Sequence, residues 1–341
     1  MIANAIYNVI GGNNLTASEA RGVMLEMMEG RATAAQMGSF LTAMRLRGET
    51  IEEITACAAV LREKCQKLTP DTDVLDIVGT GGDELYSFNI STVSAFVAAA
   101  AGVRVAKHGG RSVSSKCGSA DLLEALGVNI SLTAKQSERV LRETGMCFML
   151  ASVYHDAMRH VAPVRRELGV RTLFNILGPL ANPAGATMQL LGVYDEALVA
   201  PLARVLANLG CKHAVVVHGH DGLDEITLTG ATTVCEARDG RLNSYLITPE
   251  RFGLARCEPA ELVGGDPEVN AEIARSVLRG EPGAKRDIVL LNSAVCIYMA
   301  RRDLTLRSCV ALAAETIDGG RAYAQLEAFI ASSNRAAETE A

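Results

Sequence analysis

None of the nine cysteines stands in a C-x-x-C pair, so neither a zinc site nor a redox dithiol is indicated. Their odd number and scattered apolar settings fit reduced thiols in a cytoplasm. No apolar run is long enough to span a bilayer, and the apolar start MIANAIYNVIGGNN has neither a basic leader nor a cleavage site. The expectation is a cytoplasmic protein with no membrane partner. A basic excess is also missing: at net charge −6 the chain lacks the balance that wraps nucleic acid, so its positive groups must be concentrated in a site. What is there is ordinary for a folded protein, 49% hydrophobic and 21% charged over 341 residues, a length that suggests about two domains.

The chain is organised around residues 74–92, VLDIVGTGGDELYSFNIST. The apolar run 74–78 reads as a buried strand that ends in a loop with Gly79, Gly81 and Gly82. Either these glycines only make a turn, or they let backbone N–H groups approach a polyphosphate. Asn89, Ser91 and Thr92 follow as short hydrogen-bonding side chains, and Ser91 is the expected N-cap of the helix in STVSAFVAAAA. Two familiar phosphate loops are excluded. Glu84 stands where G-x-G-x-x-G needs glycine, the next strand ends in Lys107 rather than an acid, and no Lys-Ser or Lys-Thr pair closes a Walker A loop.

Residues 1–68 read as helices started by three capping boxes, Thr16 with Glu19, Thr33 with Gln36 and Thr50 with Glu53. Their methionine-rich faces (Met24, Met27, Met28, Met37, Met44) suit either a core or a subunit interface. After the linker TPDTD, strands are expected at 74–78, 103–106, 146–150, 188–193 and 213–217, with helices near 91–101, 119–126, 134–144, 155–168 and 196–209. This alternation predicts an α/β fold, a mostly parallel sheet flanked by helices, with ligands at the C-terminal ends of the strands. Asp239-Gly240 reads as a hairpin turn within 232–248, and 267–333 as helical, the stretch IVLLNSAVCIYMA being too short and too polar in its middle for a membrane span.

Three groups of residues carry chemistry. Lys107, His108 and Arg111 precede a Ser/Gly loop that enters a helix near Ser119, which is either a second anion-binding element or a solvated loop. Asp224 and Glu225 follow the strand HAVVVHG; beside two phosphate loops such a pair suits Mg²⁺, which takes few protein carboxylates, while alone it is only exposed charge. Residues 155–184 hold Arg159, Arg165, Arg166 and Arg171, any one of which suits a substrate carboxylate; on one helix Arg159 and Arg166 share a face and Arg165 points elsewhere. His155 and His160 are acid–base groups or core and surface histidines. No residue is assigned as a catalytic acid or base.

The motifs GTGGD, FNIST, KHG-x-RSVSSK, VRRELGVRT and FNILGPLANPA, together with MRLRGET near the N-terminus, resemble the anthranilate phosphoribosyltransferase family over nearly the whole chain. The resemblance implies a small helical domain at 1–70, joined by helices from about 165–185, through which homodimers form, and a large α/β domain at 71–341 of nucleoside phosphorylase/phosphoribosyltransferase type. It implies transfer of a phosphoribosyl group from phosphoribosyl pyrophosphate (PRPP) to the amine of anthranilate in tryptophan biosynthesis, with Mg²⁺. By position, Gly79, Gly81, Gly82, Asp83, Ser87, Asn89, Ser91, Thr92, Lys107 and Ser119 would hold PRPP; Gly79, Gly110 and Arg165 the anthranilate; Ser91, Asp224 and Glu225 the metal. The chain departs from the family pattern at Glu84, at Gly110, at Leu150-Ala151-Ser152 and at His155-Asp156-Ala157-Met158. Gly110 removes an amide from the acceptor side, which predicts weaker use of anthranilate or preference for a related aromatic amine. The alternatives are a pyrimidine-nucleoside-phosphorylase-like enzyme, whose phosphate loop differs, and a binding relative without catalysis, which a basic groove would favour.

Overall fold

The computed structural model describes residues 1–112 and 116–338, so Val113, Ser114 and Ser115 of the KHG-x-RSVSSK motif lie outside the described residues. Four helices open the chain: α1 (Ile2–Ile10), α2 (Ala17–Met28), α3 (Ala34–Arg47) and α4 (Ile51–Lys64). The last three start at the expected capping boxes, each Thr hydroxyl accepting from the N3 backbone N–H while the N3 side chain returns to the cap. Glu53 does more than cap: fully buried, it accepts from Leu15 N–H at 2.7 Å and pairs with Arg47, so it also ties the α1–α2 turn to α4. The methionine faces are core, Met24, Met27 and Met44 being wholly buried.

A seven-stranded sheet follows in the order β3-β2-β1-β4-β5-β6-β7. Its strands are β1 (Leu75–Gly79), β2 (Val105–Gly109), β3 (Met146–Leu150), β4 (Met188–Gly192), β5 (His213–Gly219), β6 (Thr232–Arg238) and β7 (Arg241–Ile247). The first five are parallel, and β6 and β7 add an antiparallel edge. Asp239 and Gly240 make their turn with φ of 49° and 79°, the mirror-image conformation that matches strand twist. One sheet face packs on α5 (Ile90–Ala100), α6 (Ser119–Ala125), α7 (Ala134–Thr144) and the C-terminal helices α12 (Pro267–Leu278), α13 (Ala284–Ala300), α14 (Leu306–Asp318) and α15 (Arg321–Glu338). The other face shares a core with α1 to α4, α9 (Ala162–Leu168), α10 (Phe174–Leu180) and α11 (Val199–Asn208). No helix among the described residues is long and apolar enough to cross a membrane.

Two expected elements differ. The helix expected over 155–168 is broken into α8 (Ala151–Tyr154), a 3₁₀ turn (Asp156–His160) and α9, because Pro163 has no N–H for a continuing helix and is accommodated in the first turn of a new one. Arg159 and Arg166 therefore share no helix face. The second strand starts two residues late and runs through Lys107 to Gly109, which leaves the Lys107 side chain in the interior, 2% exposed, rather than at a strand end.

Candidate active site

The C-terminal end of β1 meets the loop after β5 at close quarters. A Cβ at Gly79 would overlap Asp224 Oδ2, and one at Gly192 would overlap the Asp224 backbone oxygen, so both glycines are needed for the approach. Gly81 (φ 66°) turns its N–H onto Asp224 Oδ2 at 2.7 Å. Glu225 Oε1 accepts from Ser91 N–H at 3.0 Å and from the Ser91 hydroxyl. The cap of α5 is Asn89, not Ser91: the Asn89 carbonyl already takes the first helical bonds, from Thr92 and Val93 N–H, and Ser91 sits inside the first turn. Thus the N–H groups of Gly81 and Ser91 each hold one of the two carboxylates.

Both acids are buried, and burial pushes both above the usual carboxylate range, aided by the Asp83 charge on Asp224 and the Asp224 charge on Glu225. Buried acids that repel each other fit a divalent cation. Among the described residues no group of three His, Cys, Asp or Glu is gathered for a metal, so a cation here would have two carboxylates and take its other oxygens from phosphate and water, as Mg²⁺ does. Lys107 is the nearby countercharge; burial lowers its pKa, while the Asp76, Glu225 and Asp224 charges oppose the shift, and its Nζ donates to Ile77 O. Asp83 accepts from Leu85 N–H, Ser87 bridges to Val263, and Thr92 is buried in the first turn of α5.

The second expected anion element is differently used. Arg111 faces outward, paired with Asp121 and Glu124, and His108 is buried rather than offered as a cation. The N–H groups of Ser112 and Gly118 both go to Asp121 Oδ2 at 2.9 Å. Ser119 is packed on the end of β2, its hydroxyl donating to Gly110 O at 3.4 Å and filling the space that a Cβ on Gly109 would take.

The arginines separate cleanly. Arg159 is exposed and paired with Asp156, and Arg171 stacks on Tyr194, bonds to Gly82 O and lies 3.7 Å from Glu84. Arg165 lies over the Phe174 ring at 5.3 Å, its pKa lowered by burial, with no acid partner among the described residues. Phe174 opens α10, and the backbone of Gly178 and Ala181 at its far end opposes the lowering that burial imposes on the pKa values of His108 and His155. The two imidazoles stand 5.0 Å apart, and the Nε2 of each is buried without a partner. Burial drives His108 down to about 3, with help from the His155 and Lys107 charges, and His155 down to about 4, so both are neutral acceptors at pH 7. His160 is half-buried elsewhere, its ring beside Gly30. Gly110 is near this group: a Cβ there would meet Ala151 Cβ at an ordinary 3.8 Å.

Sequence reasoning missed how the two loops are held apart. β1 and β2 share one paired position, Leu75 with Val105, and beyond it side chains replace the ladder. Asp76, wholly buried, accepts from His108 N–H at 3.2 Å and from Asn182 Nδ2 at 2.7 Å, and Asn182 Nδ2 also donates to Ala106 O. An aspartate inside the apolar run 74–78 was the available signal, since a buried acid requires partners. Asn292, the polar residue in the middle of α13, likewise clamps the backbone of Ile226 beside the acid pair, accepting from its N–H at 3.1 Å and donating to its carbonyl at 2.9 Å.

A family model described as "Glycosyl transferase family, a/b domain" matches residues 71–323, and one described as "Glycosyl transferase family, helical bundle domain" matches residues 3–65. The anthranilate phosphoribosyltransferase of Ruminiclostridium cellulolyticum is 65% identical over 334 residues, covering 98% of this chain and 98% of its own length. The crystal structure of the anthranilate phosphoribosyltransferase from Thermus thermophilus aligns with a TM-score of 0.92 and 45% identity over 97% of this chain and 99% of that one. The Saccharomyces cerevisiae enzyme in complex with PRPP and Mg aligns with a TM-score of 0.90 and 29% identity over 98% of both chains. The same yeast protein has been solved with 4-fluoroanthranilate. Identity of this degree along almost the full length, on the same two-part architecture, means that the chain belongs to the anthranilate phosphoribosyltransferase family.

Proposed function

We propose that this chain transfers the phosphoribosyl group of PRPP to the amine of anthranilate, releasing pyrophosphate, in tryptophan biosynthesis. One contrast at the C-terminal edge of the sheet carries the reading: Asp224 and Glu225 are buried acids whose charges repel, and Arg165 is a half-buried cation with no acid partner among the described residues. A donor that arrives with a divalent cation answers the first, and an acceptor carboxylate answers the second. In this reading PRPP lies along Gly79 to Asp83, Ser87, Asn89, Ser91, Thr92, Lys107 and Ser119, the cation lies at Ser91, Asp224 and Glu225, and anthranilate lies between Gly79, Gly110 and Arg165.

Charge grows on the departing pyrophosphate as the ribose carbon becomes cationic, so the site needs fixed positive groups on the leaving side. Mg²⁺, when bound, supplies such charge there. Lys107 contributes a buried amine at a position set by Ile77 O and by the neighbouring acids. Anthranilate's aryl amine is neutral at pH 7 and needs orientation rather than a strong base. Arg165 fixes the carboxylate end, and the unpartnered Nε2 atoms of His108 and His155 are acceptors for the amine N–H.

The small helices expose Tyr7 at 81%, Ile10 at 72% and Leu46 at 83%, an apolar set that supports homodimer formation through this end of the molecule. Nine free cysteines support a reducing, cytoplasmic setting. The deciding assay mixes purified protein, PRPP, Mg²⁺ and anthranilate and follows anthranilate fluorescence. The expected result is a decay that needs all three additions and is lost when Asp224 and Glu225 are both replaced by alanine; a wild-type protein that leaves the fluorescence unchanged would overturn the proposal.

A further inference from the structure

The loop before α5 is held from outside by residues 262–270, a stretch with no part in the site as described so far. Phe88 N–H donates to Leu262 O at 3.1 Å, Gly264 N–H donates to Tyr86 O at 2.9 Å, and Ser87 pairs with Val263 in an antiparallel bridge. Within the loop, Glu84 and Tyr86 carry left-handed φ angles of 62° and 53°. Side chains with a Cβ resist that conformation, so the loop depends on contacts that offset the strain. Gly264 is the residue that permits the contact, since a Cβ there would stand 2.7 Å from Phe88 Cα and 2.9 Å from Phe88 N. From this strap the chain enters α12, and its first fully buried amide is Asn270, 2% exposed.

Asn270 is oriented without ambiguity. Its Oδ1 accepts from Gly265 N–H at 2.9 Å, which leaves Nδ2 to donate to Asn89 Oδ1 at 3.1 Å. With its carbonyl so engaged, Asn89 must present Nδ2 on its other side, and one of those two N–H groups goes to Cys117 O at 3.0 Å. A cavity of about 200 Å³ lies beside Asn270 and Cys117, so packing alone does not fix the amides; the hydrogen bonds do. The order of donation runs from Gly265 through Asn270 and Asn89, and among the described residues it leaves Asn89 with one side-chain N–H unspent at the N-terminus of α5. A phosphate oxygen needs an N–H, and the flipped amide would show it a carbonyl oxygen.

We propose that Asn270 is a positioning residue for the phosphoribosyl donor: through the Gly265–Asn270–Asn89 relay it fixes the Asn89 amide with N–H toward the donor phosphates. This rests on the reading that Asn89 touches PRPP. Asn270 touches no substrate. Its loss takes the donor from the Asn89 carbonyl and leaves that amide held only at Cys117 O, which weakens donor binding and leaves the acceptor side alone.

The test is a double-mutant cycle on KM for PRPP with Asn89→Ala, Asn270→Ala and the double variant, with KM for anthranilate and thermal midpoint measured alongside. Each single variant is expected to raise KM for PRPP about tenfold, the loss of one amide hydrogen bond to a charged group, with KM for anthranilate unchanged. The double variant should equal Asn89→Ala, because Asn270 acts only through it. Should Asn270→Ala multiply KM by the same factor when Asn89 is already alanine, or leave KM for PRPP at the wild-type value, the relay is refuted. An Asn89→Ala protein with normal KM for PRPP would refute the placement of Asn89 at the donor and the relay with it. If Asn270→Ala fails to fold, Asn270→Ser, which keeps a hydroxyl for Gly265 N–H, takes its place in the same cycle.

Discussion

A single methyl group at residue 79 separates the donor and metal machinery from the fold that carries it. In Gly79→Ala the new Cβ would overlap Asp224 Oδ2 and lie 2.8 Å from its Cγ. The obstacle is the end of a side chain, so the carboxylate can swing away, but doing so takes Oδ2 off Gly81 N–H, now at 2.7 Å. A hydrogen bond to a charged group is worth about 1.5–3 kcal/mol, which corresponds to roughly 10- to 100-fold in affinity for metal-assisted donor binding. The same methyl at Gly192 would strike the Asp224 backbone oxygen, which cannot swing, so Gly192→Ala should fail to fold stably. Calorimetric titration of PRPP in the presence of Mg²⁺, with circular dichroism as the fold control, compares the two. A well-folded Gly79→Ala protein with wild-type donor affinity would refute the argument that the β1 end and the Asp224 carboxylate form one unit.

Arg165→Leu should raise KM for anthranilate by about 10- to 100-fold, the value of a charge-assisted bond, and leave KM for PRPP unchanged in steady-state kinetics. Gly110→Asn has room for its side chain, since Ala151 Cβ would be 3.8 Å from the new Cβ, and should lower KM for anthranilate by a few-fold to about tenfold; an unchanged KM means that the missing amide is neutral. Stability should fall in acid through His108 and His155, whose folded values of about 3 and about 4 lie below the ordinary one. The unfolded chain takes up those protons below pH 6.5 and the folded chain does not, so the contribution of these two histidines is complete above pH 6.5 and is lost as pH falls toward 4 and then 3, against the opposite contribution of Asp224 and Glu225, whose raised values favour the folded state as pH falls. At pH 5 this amounts to about 2 kcal/mol per histidine, and His155→Gln should flatten the dependence of the thermal midpoint on pH. Tyr7→Glu combined with Leu46→Glu should give monomers by light scattering from a dimeric parent.

Local signals read well from the sequence. The apolar runs at 74–78 and 213–217 are β1 and most of β5, the three threonine capping boxes start α2, α3 and α4, and Asp239-Gly240 is the turn between β6 and β7. Each of these is decided within a few residues. What was misread is decided from far away. Ser91 has the composition of an N-cap, yet its hydroxyl is drawn to Glu225, 134 residues on, and Asn89 takes the cap position. Arg111, which follows a strand, is paired with two acids on α6, a contact that its own neighbourhood in the sequence does not announce. Arg165 was one arginine of four until Asp156, Tyr194 and Gly82 accounted for Arg159 and Arg171 and the fold left Arg166 exposed. Asp76 with Asn182 and Asn89 with Asn270 are pairs 106 and 181 residues apart, and no spacing rule announces them.

The most direct test of the account is a crystal structure of this chain with PRPP, Mg²⁺ and 4-fluoroanthranilate. The account predicts a metal on Asp224 and Glu225 that also touches donor phosphate oxygens, a pyrophosphate alongside Asn89 and Lys107, and the aminobenzoate carboxylate on the Arg165 guanidinium with its amine toward the ribose. A metal bound away from Asp224 and Glu225, or an aminobenzoate whose carboxylate leaves Arg165 untouched, would contradict it.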